Sequence, residues 1–523
     1  MCKNVVVPNT SVPTATTLRE ASDGKPVSSK LVYEPSSVRL EISNADKTDV
    51  TLAGSRLDFS APAGIITMEE VTKKTEEGRL WIIIHDNVYD VTEYKDKHPG
   101  GHLVLQHFSG KDATDAFENY HRAHVAKFLL PRYYIGKLDE PQKVASHVQD
   151  FRLIRQQLLR RGLFEVPTTY YAKLYLWFAT LFVSSLYLTL ATSSVVCHMV
   201  GAVLMGFFWQ QFAGLGHDLG HTSVSKSFSY DHWFGSVIGA SLTGLSTAWW
   251  KSSHNTHHVV PNSVEHDPDI QHLPLLAISE QVIEGSYWST YHNKMFQLDS
   301  VAAFFVGYQH LLFFPLMFLA RFNLYAQGLI FLLTRTNDAK TPFRRHELVC
   351  ILGVFLVWYL AVALTLPTST ERVTWVLLSH AVTSLLHFQI VISHWSRETY
   401  RQNDKSAHKK KDDDIDAADD DWYRLQLRTT MDISCPAWMD FFHIGLQFQT
   451  THHLFPTLPR PHLRVATQLV KEVCQKHGIE FCEKGFFSMM GDSLQSLRET
   501  AAAARSGKYT TRSPLWEAWN AEG

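Results

Sequence analysis

The clearest signal along the chain is a change of texture after Lys173. Residues 174–190 and 195–212 are nearly free of charge and are separated only by the short polar stretch ATSS. Each is close to the roughly 20 residues that cross a bilayer as a helix, so together they predict a transmembrane hairpin. Residues 348–366 and 373–391, separated by PTSTER, predict a second. Two less uniform apolar stretches read as interfacial or re-entrant helices: 233–249, rich in Gly, Ser and Thr, and 301–333, interrupted by Pro315, Arg321 and Asn323. Two hairpins put everything outside their turns on one face. The turns hold only Glu371 and Arg372 as charged residues, so the remaining Lys and Arg mark that face as cytosolic.

Upstream the pattern is that of a compact soluble unit. Residues 80–85 (LWIIIH) and 87–91 (NVYDV) read as strands joined at Asp86, and 132–138 (RYYIGKL) as a closing strand. Between them, HPGGHLVLQHFSGKDATDAFENYH mixes short helical patterns with glycine turns. Residues 1–60 lack a long apolar run and read as a disordered tail, not a signal peptide. The expected organisation is therefore a tail at 1–60, a soluble domain at 61–142, a membrane domain at 150–490 and a carboxyl-terminal tail at 491–523. The run KKKDDDIDAADDD, 409–421, reads as a solvated loop.

Composition narrows the function. Lys plus Arg is 49 and Asp plus Glu is 51, which gives no support to a nucleic-acid-binding surface. The six cysteines form no C-x-x-C pair, which argues against a disulfide framework or a cysteine-zinc site. The 28 histidines are the chemically informative residues, and they cluster.

One pair lies in the soluble domain. His98 opens HPGG and His121 ends DAFENYH. The Pro-Gly-Gly turn lets the backbone bend sharply and approach a flat partner. Two histidines on separate local elements can hold one heme iron from both faces, which makes an electron carrier and not an oxygen activator. This stretch, WIIIHDNVYDVTEYKDKHPGG with GKDATDAF and YYIGKL, resembles cytochrome b5 over residues 65–139. The resemblance implies an α+β heme domain with His98 and His121 as axial ligands of heme b, and His124 is the near competitor for the second position.

The other histidines form three boxes. HDLGH carries His217 and His221; HNTHH carries His254, His257 and His258; QTTHH carries Gln449, His452 and His453. Spacings of three and four put imidazoles on one helix face. Seven box histidines exceed the four ligands of a zinc site and suit two iron ions, which imidazole binds while leaving positions open for oxygen. After box two, Asp267 and Asp269 read equally as carboxylates that orient imidazoles or as a capping turn, with His266 between the box and the first of them.

Taken together, the chain resembles the cytochrome b5-fused front-end membrane desaturases over roughly residues 65–475. Those proteins share the amino-terminal heme domain, HxxxH, HxxHH and a third box whose first histidine is glutamine, as at Gln449. The resemblance implies an all-α membrane domain with two transmembrane hairpins and a cytosolic histidine-box cap. It assigns His217, His221, His254, His257, His258, His452, His453 and Gln449 to a site for two non-heme iron ions. It adds one histidine of the last transmembrane helix, His394 or His387, with His394 nearer the cytosolic end. It further implies an oxidoreductase of the endoplasmic reticulum membrane, multi-pass, with the amino terminus, heme domain and boxes cytosolic. Dioxygen and NADH-cytochrome b5 reductase would be its partners and a lipid chain its substrate. HNTHHVVPNSVEHDPDIQHLP, LRTTMDISCPAWMDFF and HFQIVISHW look most like the delta-8 sphingolipid (long-chain base) desaturases. A delta-6 or delta-5 fatty acyl desaturase, or a lipid hydroxylase, would carry the same boxes.

Overall fold

The computed structural model describes residues 64–334, 342–401 and 421–511. The expected amino-terminal tail, and the 409–421 run except for Asp421, lie outside these residues.

The soluble unit is built on a four-stranded sheet of β1 (Gly64–Ile66), β2 (Trp81–Ile84), β3 (Asn87–Asp90) and β4 (Tyr134–Leu138), in the order β1-β4-β3-β2. β2 and β3 form a hairpin whose two turn residues, His85 and Asp86, both have positive φ, at 51° and 60°. That turn twists the strands in the favoured sense. All four residues of β2 are buried, which is why the strand reads as a continuous apolar run and not as an alternation. β1 was not expected. It is three residues long and gains its place only by pairing parallel to β4, a contact 72 residues away (Gly64 to Gly136) that no local pattern encodes.

The rest is helical. Five helices among the described residues are long and apolar enough to cross a membrane: Thr168–Leu190, Val195–Gly220, Gln309–Thr334, Arg344–Thr365 and Ser369–Ile392. The Val195–Gly220 helix packs against both Thr168–Leu190 and Ser369–Ile392 and is the axis of the bundle. Trp209, at its middle, is fully buried among Phe355, Tyr359 and His380. The outward faces carry bare apolar side chains such as Leu176, Val183, Leu311 and Val357, as a lipid-facing surface does.

Three expectations need correction. The 301–333 stretch is not broken at Pro315: Ser300–Gly307 is followed by one continuous helix, Gln309–Thr334. Pro315 lies in its second turn, so the missing N–H removes a single bond near the helix start. Arg321 is accommodated inside the bundle, where its Nη2 donates to Thr243 O at 2.7 Å and its guanidinium lies 4.3 Å over the Trp209 ring. The 233–249 stretch is not one helix: a continuous helical run of Phe228–Phe234, the π-helical Gly235–Gly239 and Ala240–Thr243 stops at Gly244, whose φ is 73°, and Thr247–Val259 starts a new helix. Finally, the boundary expected at 490 cuts a helix, Phe486–Arg505. Met489, Leu497, Ala501 and Ala504 are buried, and the helix packs on Ser300–Gly307 and Gln309–Thr334. Its inner face is largely Ser, Thr and Ala, which leaves little apolar periodicity to read.

One close approach sets the geometry downstream. The Val195–Gly220 helix ends against Thr247–Val259, and a Cβ on Gly220 would lie 1.8 Å from Cζ3 of Trp250. Gly220→Ala is therefore expected to destabilise the protein by about 3 kcal/mol or more through overpacking. A thermal melt in detergent checks this; an unchanged midpoint would show that Trp250 swings aside at no cost.

Candidate metal centre

Each histidine box sits at a helix end or in a short helix. His217 occupies the last turn of Val195–Gly220 and His221 caps it. Box two lies in Thr247–Val259, whose start is fixed by the Ser246 hydroxyl accepting from Trp249 N. Gln449, His452 and His453 share the short helix Gln449–Leu454. His394 lies two residues beyond the end of Ser369–Ile392.

These ends converge. His217, His221, His254, His258 and His452 form one group, and His257, His394 and His453 a second, with the ligand atoms of each group within 4.8 Å of one another. Within the first group, His258 Nε2 is 2.9 Å from His254 Nε2 and 3.2 Å from His452 Nε2. Within the second, the His257 and His394 ring centres are 4.5 Å apart. Gln449 joins the second group, with its Nε2 3.1 Å from His394 Nε2 and its Oε1 buried without a partner. The structure brings His394, not His387, to the site. His387 lies two helical turns back, with its Nδ1 against Met317 O at 3.3 Å.

The donor set fits metal ions. His217 Nε2, His221 Nε2, His258 Nδ1, His394 Nδ1 and His453 Nε2 are buried without hydrogen-bond partners, and orphaned buried polar atoms are costly unless something binds them. Burial, followed by repulsion between neighbouring imidazoles, holds His221, His254, His258, His394, His452 and His453 well below the usual histidine range. They are neutral, the form that ligates. His257 differs. Burial alone would lower it, but the carboxylates of Asp267 and Asp269 outweigh this and raise it to about 9. Asp267 is fully buried and takes the His257 Nδ1 hydrogen at 2.9 Å, which fixes the ring and leaves Nε2 for a metal. Asp267 also caps the turn at Pro268–Ile270, so both readings of this residue hold. Asp269 stands 3.9 Å from the same nitrogen. His266 belongs to neither group and packs edge-on against His107 of the soluble domain at 4.5 Å.

Several supporting residues carried no sequence signal. Gln426 accepts from His453 Nδ1 at 2.8 Å and donates to His258 O at 3.1 Å. Arg460 and Asp218 form a buried pair beside His217, at 2.6 Å, and Tyr171 OH donates to the same carboxylate. Asn262 donates to His394 O at 3.0 Å. All these contacts span at least 27 residues.

A cavity of about 1200 Å³ opens between the soluble domain and the membrane module. His98 and His121 face one another across it with ring centres 5.9 Å apart. Each is oriented by its own backbone: His98 Nδ1 lies 3.2 Å from Gly101 O and His121 Nδ1 3.1 Å from Phe117 O. With each Nδ1 engaged by a carbonyl, Nε2 is the atom of each ring that would meet an iron between them. His124 is exposed at the rim. The HPGG motif has a concrete reason, since a Cβ on Gly100 would lie 2.8 Å from His98 Cε1. These features fit a flat heme held from both faces.

The two sites share a wall. Along Thr247–Val259, Lys251, Asn255 and Val259 line the heme cavity, while His254, His257 and His258 point into the metal groups. Residues four apart share a helix face, so Lys251, Asn255 and Val259 make one stripe and His254 and His258 the stripe beside it. The soluble domain is held there by Asp115, which takes Arg152 Nε and Nη2 at 2.7 and 2.9 Å and Tyr423 OH at 3.1 Å. Tyr120, next to His121, lies edge-on to His258 with ring centres 6.3 Å apart.

Comparison with known proteins agrees with this geometry. Residues 193–485 match the fatty acid desaturase family, and residues 67–139 match the cytochrome b5-like heme/steroid binding domain. The chain is 36% identical over 463 residues to a Delta(8)-fatty-acid desaturase of Helianthus annuus, covering 88% of this chain and 96% of that protein. It is 36% identical over 459 residues to an Acyl-lipid (9-3)-desaturase of Borago officinalis, covering 88% and 98%. A Delta 8-(E)-sphingolipid desaturase of Kluyveromyces lactis is 36% identical over 362 residues, covering 68% of this chain and 60% of that protein. The chain is a member of the fatty acid desaturase family, in the branch that carries its own cytochrome b5 domain.

Proposed function

We propose that this membrane oxidoreductase introduces the delta-8 double bond into the long-chain base of a sphingolipid. The observation that carries the desaturase chemistry is the convergence of eight histidines and Gln449 into two adjacent groups beside a two-histidine heme cavity. The position and substrate rest on the likeness to delta-8 relatives from plants and yeasts.

In this reading His217, His221, His254, His258 and His452 hold one iron. His257, His394 and His453, with Gln449, hold the other. When bound, the two irons would supply oxidation by dioxygen, in which two hydrogens of adjacent methylenes, two electrons and two protons reduce one dioxygen to two waters and leave a double bond. The protein's own residues supply position and protection. Asp267 and Gln426 fix the rings of His257 and His453, and burial of the imidazoles keeps bulk water out. His98 and His121 hold heme b, which passes electrons received from NADH-cytochrome b5 reductase at the endoplasmic reticulum.

Topology follows from the same convergence. Box three meets boxes one and two, so the chain between them crosses the bilayer an even number of times. Three apolar helices lie in that interval, so one does not complete a crossing. Gln309–Thr334, with Arg321 buried at its centre, is our choice. Four crossings then put the boxes and heme domain on one face, which the distribution of Lys and Arg favours as the cytosolic one.

Expression in yeast lacking its own long-chain-base desaturase, followed by mass spectrometry of long-chain bases and fatty acids, tests the assignment. The expected product is a long-chain base two hydrogens lighter, unsaturated at carbon 8. Unsaturation confined to fatty acyl chains would instead favour the acyl-lipid activity of the Borago officinalis relative, and a gain of oxygen would identify a hydroxylase. Asp267→Asn should weaken iron retention against a chelator by about 10- to 100-fold while the heme spectrum stays intact. His98→Ala should abolish the six-coordinate, low-spin heme spectrum and leave non-heme iron in place; retention of the spectrum would remove His98 from the axial position.

A further inference from the structure

The cavity between His98 and His121 is chemically lopsided. Its inner end, within the soluble domain, is apolar, with Ile82, Val91, Leu105, Ala113 and Leu130 along it. The opposite wall belongs to the membrane module and carries Lys226 and Lys251. Among the described residues neither lysine forms an ion pair with a carboxylate. Lys251 is only 9% exposed; its Nζ donates to Gly220 O at 2.8 Å and stands 4.6 Å over the Phe228 ring. Lys226 Nζ donates to Thr457 O at 2.8 Å. Burial pushes both ammonium groups down to about 8. A third cation, Arg122, reaches the same rim and donates to Lys226 O.

Neither cation has a carboxylate among the described residues within ion-pair distance, and the longer-range charge of Asp231, joined at Lys226 by Asp218 and Glu165, does not offset the cost of burial, so a ligand that brings its own negative charge is favoured here. Heme has the matching polarity. Its macrocycle is apolar along one edge and bears two carboxylates at the opposite edge. With the apolar edge in the soluble domain's core, the carboxylates emerge at the wall that holds the lysines. We propose that Lys226 and Lys251 of the membrane module bind the two heme carboxylates, so that one cofactor is gripped by both modules. This rests on the heme reading given above. It extends the site from the soluble domain, which supplies the iron ligands, to the membrane module, which supplies the charge. Heme loading and docking of the soluble domain then stabilise one another by linkage.

The test uses the full-length protein in detergent, stripped of heme and refilled with heme or with heme dimethyl ester, whose carboxylates are neutral. The rate of cofactor loss to excess apomyoglobin is read for the wild type and for Lys226→Gln/Lys251→Gln. Glutamine retains an N–H donor while removing the charge. The wild type is expected to release the ester about tenfold faster than heme, since one charge-assisted contact is worth about that factor. The double variant should release both at nearly the same rate, and Lys226→Arg/Lys251→Arg should restore the difference. Should the double glutamine variant fail to take up cofactor, each single variant is read instead, and an undiminished preference in both overturns the proposal. An equal preference in wild type and double variant also overturns it. Failure of the heme reading itself looks different, because no absorption band forms with either cofactor.

Discussion

Bringing eight imidazoles and an amide together away from water is the demand on which the rest of this structure depends. An imidazole in a dry interior needs a partner for each nitrogen, and the protein supplies only some of them. Asp267 and Gln426 each take one ring hydrogen, while several other ring nitrogens have none. Such a cluster is costly to hold together through protein contacts alone, and the bundle must be rigid enough to keep it. That explains why the Val195–Gly220 helix is gripped on both sides, and why its end is packed so tightly that Gly220 admits no side chain.

The parts that were legible in the sequence are local. The boxes declare themselves because ligands three or four residues apart share a helix face, a relation that needs no knowledge of the fold. The β2–β3 hairpin and the paired apolar helices are legible for the same reason. What was hidden is long-range. Gln426 sits in an unremarkable LQL and acquires its role only when Trp422–Thr429 is laid beside box three. Asp218 is visible inside HDLGH, but its partner Arg460 lies 242 residues away. The choice between His387 and His394 rested on depth along a helix. Pro315 and Arg321 misled because a single helix-breaking residue or charge reads as an interruption, whereas an early turn and a carbonyl partner absorb them.

The docking of the soluble domain is polar and specific. Asp115 and Glu118 meet Arg152 and Arg155, which lie in Ser146–Arg160, the helix that leads out of the domain. Tyr423 and Thr457, from the far end of the chain, add hydrogen bonds to Asp115 and Asn119 O. Connector, cap and heme domain thus share one interface, and Ala116 of the heme domain lies in the same apolar cluster as Phe151, Tyr423 and Phe455.

The helix Thr247–Val259, with one stripe of side chains on each cofactor site, has a kinetic meaning. A helix with its side chains is only about 10–12 Å across. A carrier that diffused to the metal centre would deliver electrons at a rate set by its concentration and by competition from other proteins. A carrier tethered beside that helix works at a fixed, high effective concentration. With heme and iron bound as proposed, successive electrons would arrive as first-order events, at a rate set by the enzyme itself and not by the abundance of any soluble donor.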